Sequence, residues 1–300
     1  MGKSLIPMFK TKAFISERVW GYERWIVSVH PAGQASVDET TEFIGGKNLS
    51  SVIGASYPLL IKLIQANEIL SVQVHPDDDY ARIHENSAGK TECWYILDAE
   101  PGASLIYGLN GEYSREELRH AIENNSLDSY LQSVPVTKGD FVFIPAGTVH
   151  AIKGGLRLLE IQESSDITYR LYDWGRAREV HIEKGLDVIK PECNKRVFSF
   201  APFAGRFTCP YFTLEKKDYT VKGHICFAKE LTREQASAFD TPAAKSGWAC
   251  LVILSGSGTL ESNGGELFKV QAEDCILLRT EEKITVTPDS HSALSIMEIG

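Results

Sequence analysis

Short runs in which apolar and polar residues alternate dominate the chain. Ile69, Leu70, Val72 and Val74 interleave with Ser71 and Gln73, which predicts a half-buried strand over Ile69–Val74. Val19–His30, rich in aromatic and β-branched residues, reads as another strand. Asn48-Leu49-Ser50 precedes a stretch with Ile53, Leu59, Leu60, Leu63 and Ile64 near the 3.6-residue period, which predicts a helix there. Asp77–Glu85 is polar and predicts one or two helical turns. Cys93–Leu97 and Ser104–Tyr107 read as strands about a Pro101-Gly102 turn. Ser114-Arg115-Glu116-Glu117 has the form of a capping box and opens a helix to about Asn124. Beyond Val134, Phe141–Ile144, Val149–Ile152, Leu156–Gln162 and Ile167–Leu171 are strands separated by Gly, Pro and Asp turns. Short strands at roughly 8–12-residue spacing indicate a sandwich or barrel.

Phe198–Gly300 forms a second β-rich block that echoes the first. Thr137–Ile144 can be laid over Gln271–Leu278, and Tyr95–Leu97 over Val252–Leu254. The expected fold is therefore mainly β, with two jelly-roll lobes and a few helices inserted in the N-terminal part. The charged, Pro-containing stretch Lys190-Pro191-Glu192 marks the expected boundary, giving lobes 1–190 and 191–300.

Composition narrows the function. The 300 residues include 43% hydrophobic and 24% charged positions, an ordinary globular balance. Lys and Arg total 31 against 40 Asp and Glu, a net charge of −9, and no basic run offers a footprint for nucleic acid. Inward-facing cations can still make a local pocket for an anionic small molecule. No apolar stretch approaches the ~20 residues of a membrane helix, and Met1–Lys12 has no signal-peptide core, so a cytoplasmic location is expected. The six cysteines are scattered without a Cys-x-x-Cys pair, and are expected as reduced, buried thiols.

The chemistry-bearing residues concentrate in the first lobe. On a strand, Ser71, Gln73 and His75 share one face. Lys90 and Glu92 stand at the entrance to the Cys93–Leu97 strand, and His150 follows the Pro145-Ala146-Gly147 turn. Two imidazoles, a carboxylate and an amide oxygen from separate strands would suit zinc; on spacing alone they read equally as packed or surface residues.

Four motifs in order carry a resemblance. Pro145-Ala-Gly-Thr-Val-His150, after a Gly-Asp strand start, resembles the second metal motif of the cupin superfamily. Leu70-Ser-Val-Gln73-Val-His75-Pro-Asp-Asp78, Lys90-Thr-Glu92 and Glu160-Ile-Gln-Glu-Ser-Ser-Asp-Ile-Thr-Tyr-Arg170 resemble, in turn, the metal and active-site segments of type I mannose-6-phosphate isomerases. Val19-Trp-Gly-Tyr-Glu-Arg-Trp25 fits their short prokaryotic branch.

This resemblance implies one Zn2+ per chain, held by His75, Glu92, His150 and Gln73. It implies interconversion of mannose 6-phosphate and fructose 6-phosphate through a cis-enediol. It makes Arg170 a stabiliser of the enediolate or a phosphate ligand, Glu160 the proton-transfer base, and Lys90 a group that assists ring opening or holds phosphate. Ser71, Lys62 and Arg176 fall at phosphate positions, and Gln73 contacts substrate if it does not ligate the metal. The overlay puts Ile284 at the place of His150 and Ala249 at that of Glu92, so the second lobe is expected to be metal-free. It would stabilise or close the first, or make a homodimer contact. The expected partner is a phosphorylated hexose, not nucleic acid or membrane. Two other readings stand beside this one: a noncatalytic cupin that senses a sugar phosphate, and an isomerase of another phosphorylated hexose.

Overall fold

The alternating runs become β-strands, which a computed structural model describes over residues 6–227, 241–290 and 293–300. Two compact units result, each built on two antiparallel sheets. The first comprises Ile15–Arg24 and Leu60–Phe203. Its larger sheet orders Ala201–Pro202, Asp140–Ile144, Glu92–Ala99, Leu156–Glu163, Leu59–Ala66, Gly21–Val27 and Phe14–Arg18. Its smaller sheet orders Tyr169–Tyr172, Val72–Val74, His150–Ile152, Ser104–Leu109 and Leu131–Pro135.

The two-residue period of the smaller sheet decides what each face buries. Val72, Val74, Ile106, Val149, Ala151 and Leu171 form its outer face. They pack with Leu118, Ile122, Leu186 and Val188 of the helices Arg115–Glu123 and Ile182–Val188. Leu105 and Ile152 on the inner face join Trp94, Ile96, Val142, Ile144, Leu156 and Leu158 of the larger sheet. Gln73, His75, His150 and Arg170 are out of phase with the outer cluster, so alternation turns them to the inner side. The capping box forms as expected: Ser114 Oγ accepts from Glu117 N, and Glu117 Oε2 accepts from Ser114 N. Asp77 caps the helix Asp78–His84 by accepting from Tyr80 N at 3.0 Å.

The helix expected across residues 50–64 is confined to Ser50–Ile53, and Leu59–Ala66 is instead a strand. Leu59 through Ile64 are all buried, so both faces of this strand are covered. A doubly covered strand reads as a near-continuous apolar run, and its chance i, i+4 pairs imitate a helix.

The second unit comprises residues up to Phe14, Trp25–Leu59 and Ala204–Gly300. The chain therefore does not divide once near Lys190. Residues 191–203 stay with the first unit, where Ala201–Pro202 pairs with Asp140–Ile144. Met8–Lys12 instead pairs with Cys275–Arg279 inside the second unit. The sheets of this unit are Arg206–Thr208, Thr213–Tyr219, Leu294–Ile299, Trp248–Ser255, Cys275–Arg279, Met8–Lys12, Ser36–Val37, and Gly223–Cys226, Lys283–Pro288, Ser257–Ser262, Leu267–Gln271.

The repeat read from the sequence holds at the level of single hydrogen bonds. Thr137 N donates to Asp140 Oδ2 at 2.8 Å and Gln271 N to Asp274 Oδ2 at 2.9 Å. Gly139 N donates to Ile96 O at 2.8 Å, and Glu273 N to Ile253 O at 2.7 Å. Gly139 and Glu273 both have positive φ, 93° and 72°.

All six cysteines are free; Cys93, Cys209, Cys250 and Cys275 are buried, while Cys193 and Cys226 are partly exposed. No helix among the described residues is long and apolar enough to cross a membrane.

Candidate metal centre and active site

Strand pairing brings the site together. His150 lies opposite Tyr107 on one side and Gln73 on the other, and Gln73 lies opposite Arg170. Residues directly opposite in an antiparallel pair project to the same face. Tyr107, His150, Gln73 and Arg170 therefore make one inward row across the smaller sheet. Glu92 comes from the larger sheet. His75, Glu92 and His150 offer ligand atoms that all lie within 4.8 Å of one another, and all three are buried.

Each imidazole has one nitrogen engaged by the main chain. His75 Nδ1 is 2.9 Å from Ile167 O, and His150 Nδ1 is 2.9 Å from Thr148 O. A carbonyl only accepts, so Nδ1 carries the hydrogen and Nε2 keeps its lone pair. The two Nε2 atoms stand 3.7 and 3.4 Å from Glu92 oxygens. The Gln73 amide is 3.3 Å from His150 Nε2 and, turned over, presents its oxygen to the same point. Burial, then the charge of Lys90, holds His75 well below the usual imidazole range. Burial outweighs the Thr148 carbonyl and takes His150 down to about 4. Both are neutral near pH 7, as metal ligation requires.

Glu92 is fully buried, and burial raises its carboxyl pKa against the pull of Lys90, with Glu160 adding to the rise. Lys90 Nζ stands 2.9 Å from Glu92 Oε2, yet neither carboxylate oxygen accepts a hydrogen bond of ordinary geometry. Lys90 faces only Oε2, and a cation on the Oε1 side would satisfy the rest of this buried charge. The donor set fits a divalent ion of zinc's type: two neutral imidazoles, a carboxylate and an amide.

Lys90 Nζ also lies 3.2 Å from His75 Nε2. Glu160 is placed differently from a free base. Its Oε1 accepts from Lys62 Nζ at 2.7 Å and its Oε2 from Trp94 Nε1 at 3.0 Å. Burial raises its pKa, but Lys62 and Lys90 outweigh that and hold the carboxyl below its ordinary range. Lys62, only 6% exposed, also donates to Gln162 Oε1 at 2.6 Å, so it is an interior cation and not an open phosphate ligand. Ser71 is buried beside the Gln73 strand. Arg176 donates to Asp173 and to Ile69 O, the latter at 2.9 Å. Arg178 makes two bonds to Asp173, at 2.7 and 2.6 Å. Arg170 donates to Glu179 O at 2.7 Å, and its Nε is buried without a partner.

Comparison with known proteins identifies the family. Residues 21–100 match the type I phosphomannose isomerase catalytic domain. A probable mannose-6-phosphate isomerase of Bacillus subtilis is 40% identical over 300 residues, 86% of this chain and 89% of that protein. The chain belongs to the type I phosphomannose isomerase family. A mannose-6-phosphate isomerase of Streptococcus mutans is 44% identical over 187 residues, 56% of this chain and 57% of that protein. The crystal structure of a Bacillus subtilis mannose 6-phosphate isomerase superposes with a TM-score of 0.79 at 26% identity, covering 98% of this chain and 99% of that one. A zinc-bound mannose 6-phosphate isomerase shares the fold, with a TM-score of 0.70 at 13% identity over 98% and 99% of the two chains.

Asp78 and Glu163 stand inside the motif segments without a role assigned from the sequence, and Arg178 and Trp94 carry no motif signal. Their contacts join distant segments, Glu160 to Trp94 across 66 residues and Glu163 to Thr91 across 72. No local pattern announces such pairs.

Proposed function

We propose that this chain interconverts mannose 6-phosphate and fructose 6-phosphate by proton transfer through a cis-enediol. The observation that carries the reading is the buried His75–Glu92–His150 set with the Lys90 ammonium against it. One zinc ion per chain, held by His75, Glu92, His150 and Gln73, would supply fixed positive charge for sugar oxygens and for a developing enediolate. Lys90, which stands beside the ligands His75 and Glu92, is the proposed proton carrier: as the neutral amine it takes the proton from carbon 2, and as the resulting ammonium it returns it to carbon 1. Glu160, engaged on both oxygens, holds Lys62 in place and acts on the proton only through that arrangement. Arg170, on the inward face beside Gln73, supports negative charge on the enediolate. Ser71, and Arg176, which donates to Ile69 O two residues before Ser71, are the proposed phosphate ligands.

The test is turnover of purified protein with mannose 6-phosphate, with and without a chelator. Metal removal should abolish isomerisation and zinc should restore it. Solvent deuterium should enter the transferred position; its exclusion would indicate a hydride shift and sink the enediol. Lys90→Ala should lower kcat by roughly 10²–10⁴ while zinc content stays unchanged. Tight binding of the sugar phosphate without any turnover would make the protein a sensor instead.

A further inference from the structure

The segment Ala88–Glu92 carries two site side chains, Lys90 and Glu92, and its backbone is held from several sides. Lys90 N donates to Pro76 O at 3.0 Å. On one side of it Gly89 N donates to Asp78 Oδ1 at 2.8 Å, and on the other Thr91 N donates to Glu163 Oε1 at 2.7 Å. Ser165 Oγ donates to Ala88 O at 3.1 Å. A Cβ on Gly89 would come within 2.5 Å of the Asp77 carbonyl carbon, so the segment lies directly on the first turn of the Asp78–His84 helix.

Asp78 and Glu163 are also hydrogen-bonded to each other, and Glu163 is only 5% exposed. A second carboxylate so close raises the cost of charging Glu163. Burial, opposed by the Thr91 N–H and reinforced by the Asp78 charge, pushes Glu163 up to about 8. The neighbouring charges are turned elsewhere: Asp77 to Lys190 at 2.7 Å, Lys90 to Glu92 and His75, and Glu160 to Lys62.

We propose that the Asp78–Glu163 pair is a positioning device that takes the peptide N–H on either side of Lys90 and so fixes the Lys90 side chain beside Glu92. Neither carboxyl touches the reacting atoms; both act through the Lys90 backbone. The inference rests on the reading of Lys90 as the proton carrier. Glu163→Gln keeps an acceptor for Thr91 N–H and a donor for Asp78, but cannot ionise. Glu163→Ala removes both.

The zinc-loaded full chain and its Glu163→Ala, Glu163→Gln and Asp78→Asn variants are compared in three measurements. These are zinc content, the pH profile of kcat/KM with mannose 6-phosphate, and amide hydrogen exchange of the peptide spanning residues 88–92. Glu163→Ala should lose about 10–100-fold in kcat/KM, mainly in kcat, the scale of a small misplacement of a reacting group. It should keep its zinc and exchange faster over residues 88–92. Glu163→Gln should recover most of the loss. It should also remove an alkaline fall that, in the parent, amounts to about tenfold per pH unit above about pH 8. A Glu163→Ala variant with parental kcat/KM and pH profile, or a Glu163→Gln variant no better than it, would overturn the proposal. If the parent itself shows no turnover, the isomerase reading fails; the exchange measurement then decides alone, and unchanged exchange in Glu163→Ala overturns the pair's role.

Discussion

His75 and His150 each give Nδ1 to a main-chain carbonyl, which leaves one nitrogen apiece for a metal and fixes the ring orientation. His75→Ala or His150→Ala should therefore lower zinc affinity by at least about a hundredfold, read by competition with a chelator of known strength. Parental affinity in either variant would dismantle the ligand set. Glu160 belongs to a different kind of argument. It is the charge partner of the buried Lys62, so Glu160→Gln should destabilise the fold by about 3 kcal/mol at neutral pH, the low end for leaving a buried charge unpaired. Because its folded pKa is depressed, this stabilisation is complete above the ordinary carboxylate range and is lost as pH falls through the folded value. Thermal melts from pH 7 downward should show a steeper acid loss in the parent than in Glu160→Gln; parallel curves would mean that the pair carries no net stability. Its place in the segment that resembles the family's active-site motif made Glu160 visible in the sequence. Its hydrogen bonds to Lys62 and Trp94 were not visible, because they depend on which strands become neighbours.

The turn that presents His150 is pinned by an element well beyond it in sequence. Asn194, at the end of the short helical turn Pro191–Cys193, accepts from Val149 N at 2.8 Å and donates to Gly147 O and Lys190 O at 2.8 Å each. Asn194→Ala should cost about 2–3 kcal/mol by stranding buried backbone groups, and should weaken zinc binding as the His150 turn loosens. Denaturant unfolding and chelator competition on one preparation would check both; a stability loss with parental zinc affinity would make Asn194 purely structural. The sequence reading had placed a lobe boundary at this stretch, since charge and proline usually mark linkers. It had no means of seeing that Asn194 reaches back across 47 residues to Gly147. Elements with strong local signals came through: the Ser114 capping box, the Gly139-Asp140 turn and the strand carrying Gln73. Leu59–Ala66 did not, because its period was erased by burial on both faces.

At the scale of the whole chain, the repeat gives each proposed metal ligand a counterpart. Ile144 pairs with Glu92 as Leu278 pairs with Ala249, and His150 pairs with Gln73 as Ile284 pairs with Ile225. Two residues beyond Gln73 and Ile225 stand His75 and Phe227. The counterparts of Gln73, His75, Glu92 and His150 are therefore Ile225, Phe227, Ala249 and Ile284, all buried in one apolar cluster. Such side chains offer no lone pair to a cation, and among the described residues the His75–Glu92–His150 group is the one with metal-ligand geometry. The carboxylate of the Glu160 position persists: Trp94 pairs with Glu160 as Leu251 pairs with Glu298, and Glu298 keeps a lysine, Lys217, at 2.9 Å. A Glu–Lys pair retained where the ligands are apolar points to a scaffold role for this pair in both units, which agrees with Glu160 engaged on both oxygens. Zinc titration of the metal-stripped chain should therefore reach a plateau at about one ion per chain. His150→Ala should abolish that tight site, and Glu298→Gln should leave it unchanged. A plateau near two ions, with the second lost on substitution after residue 204, would show that the second unit binds metal through groups other than these counterparts.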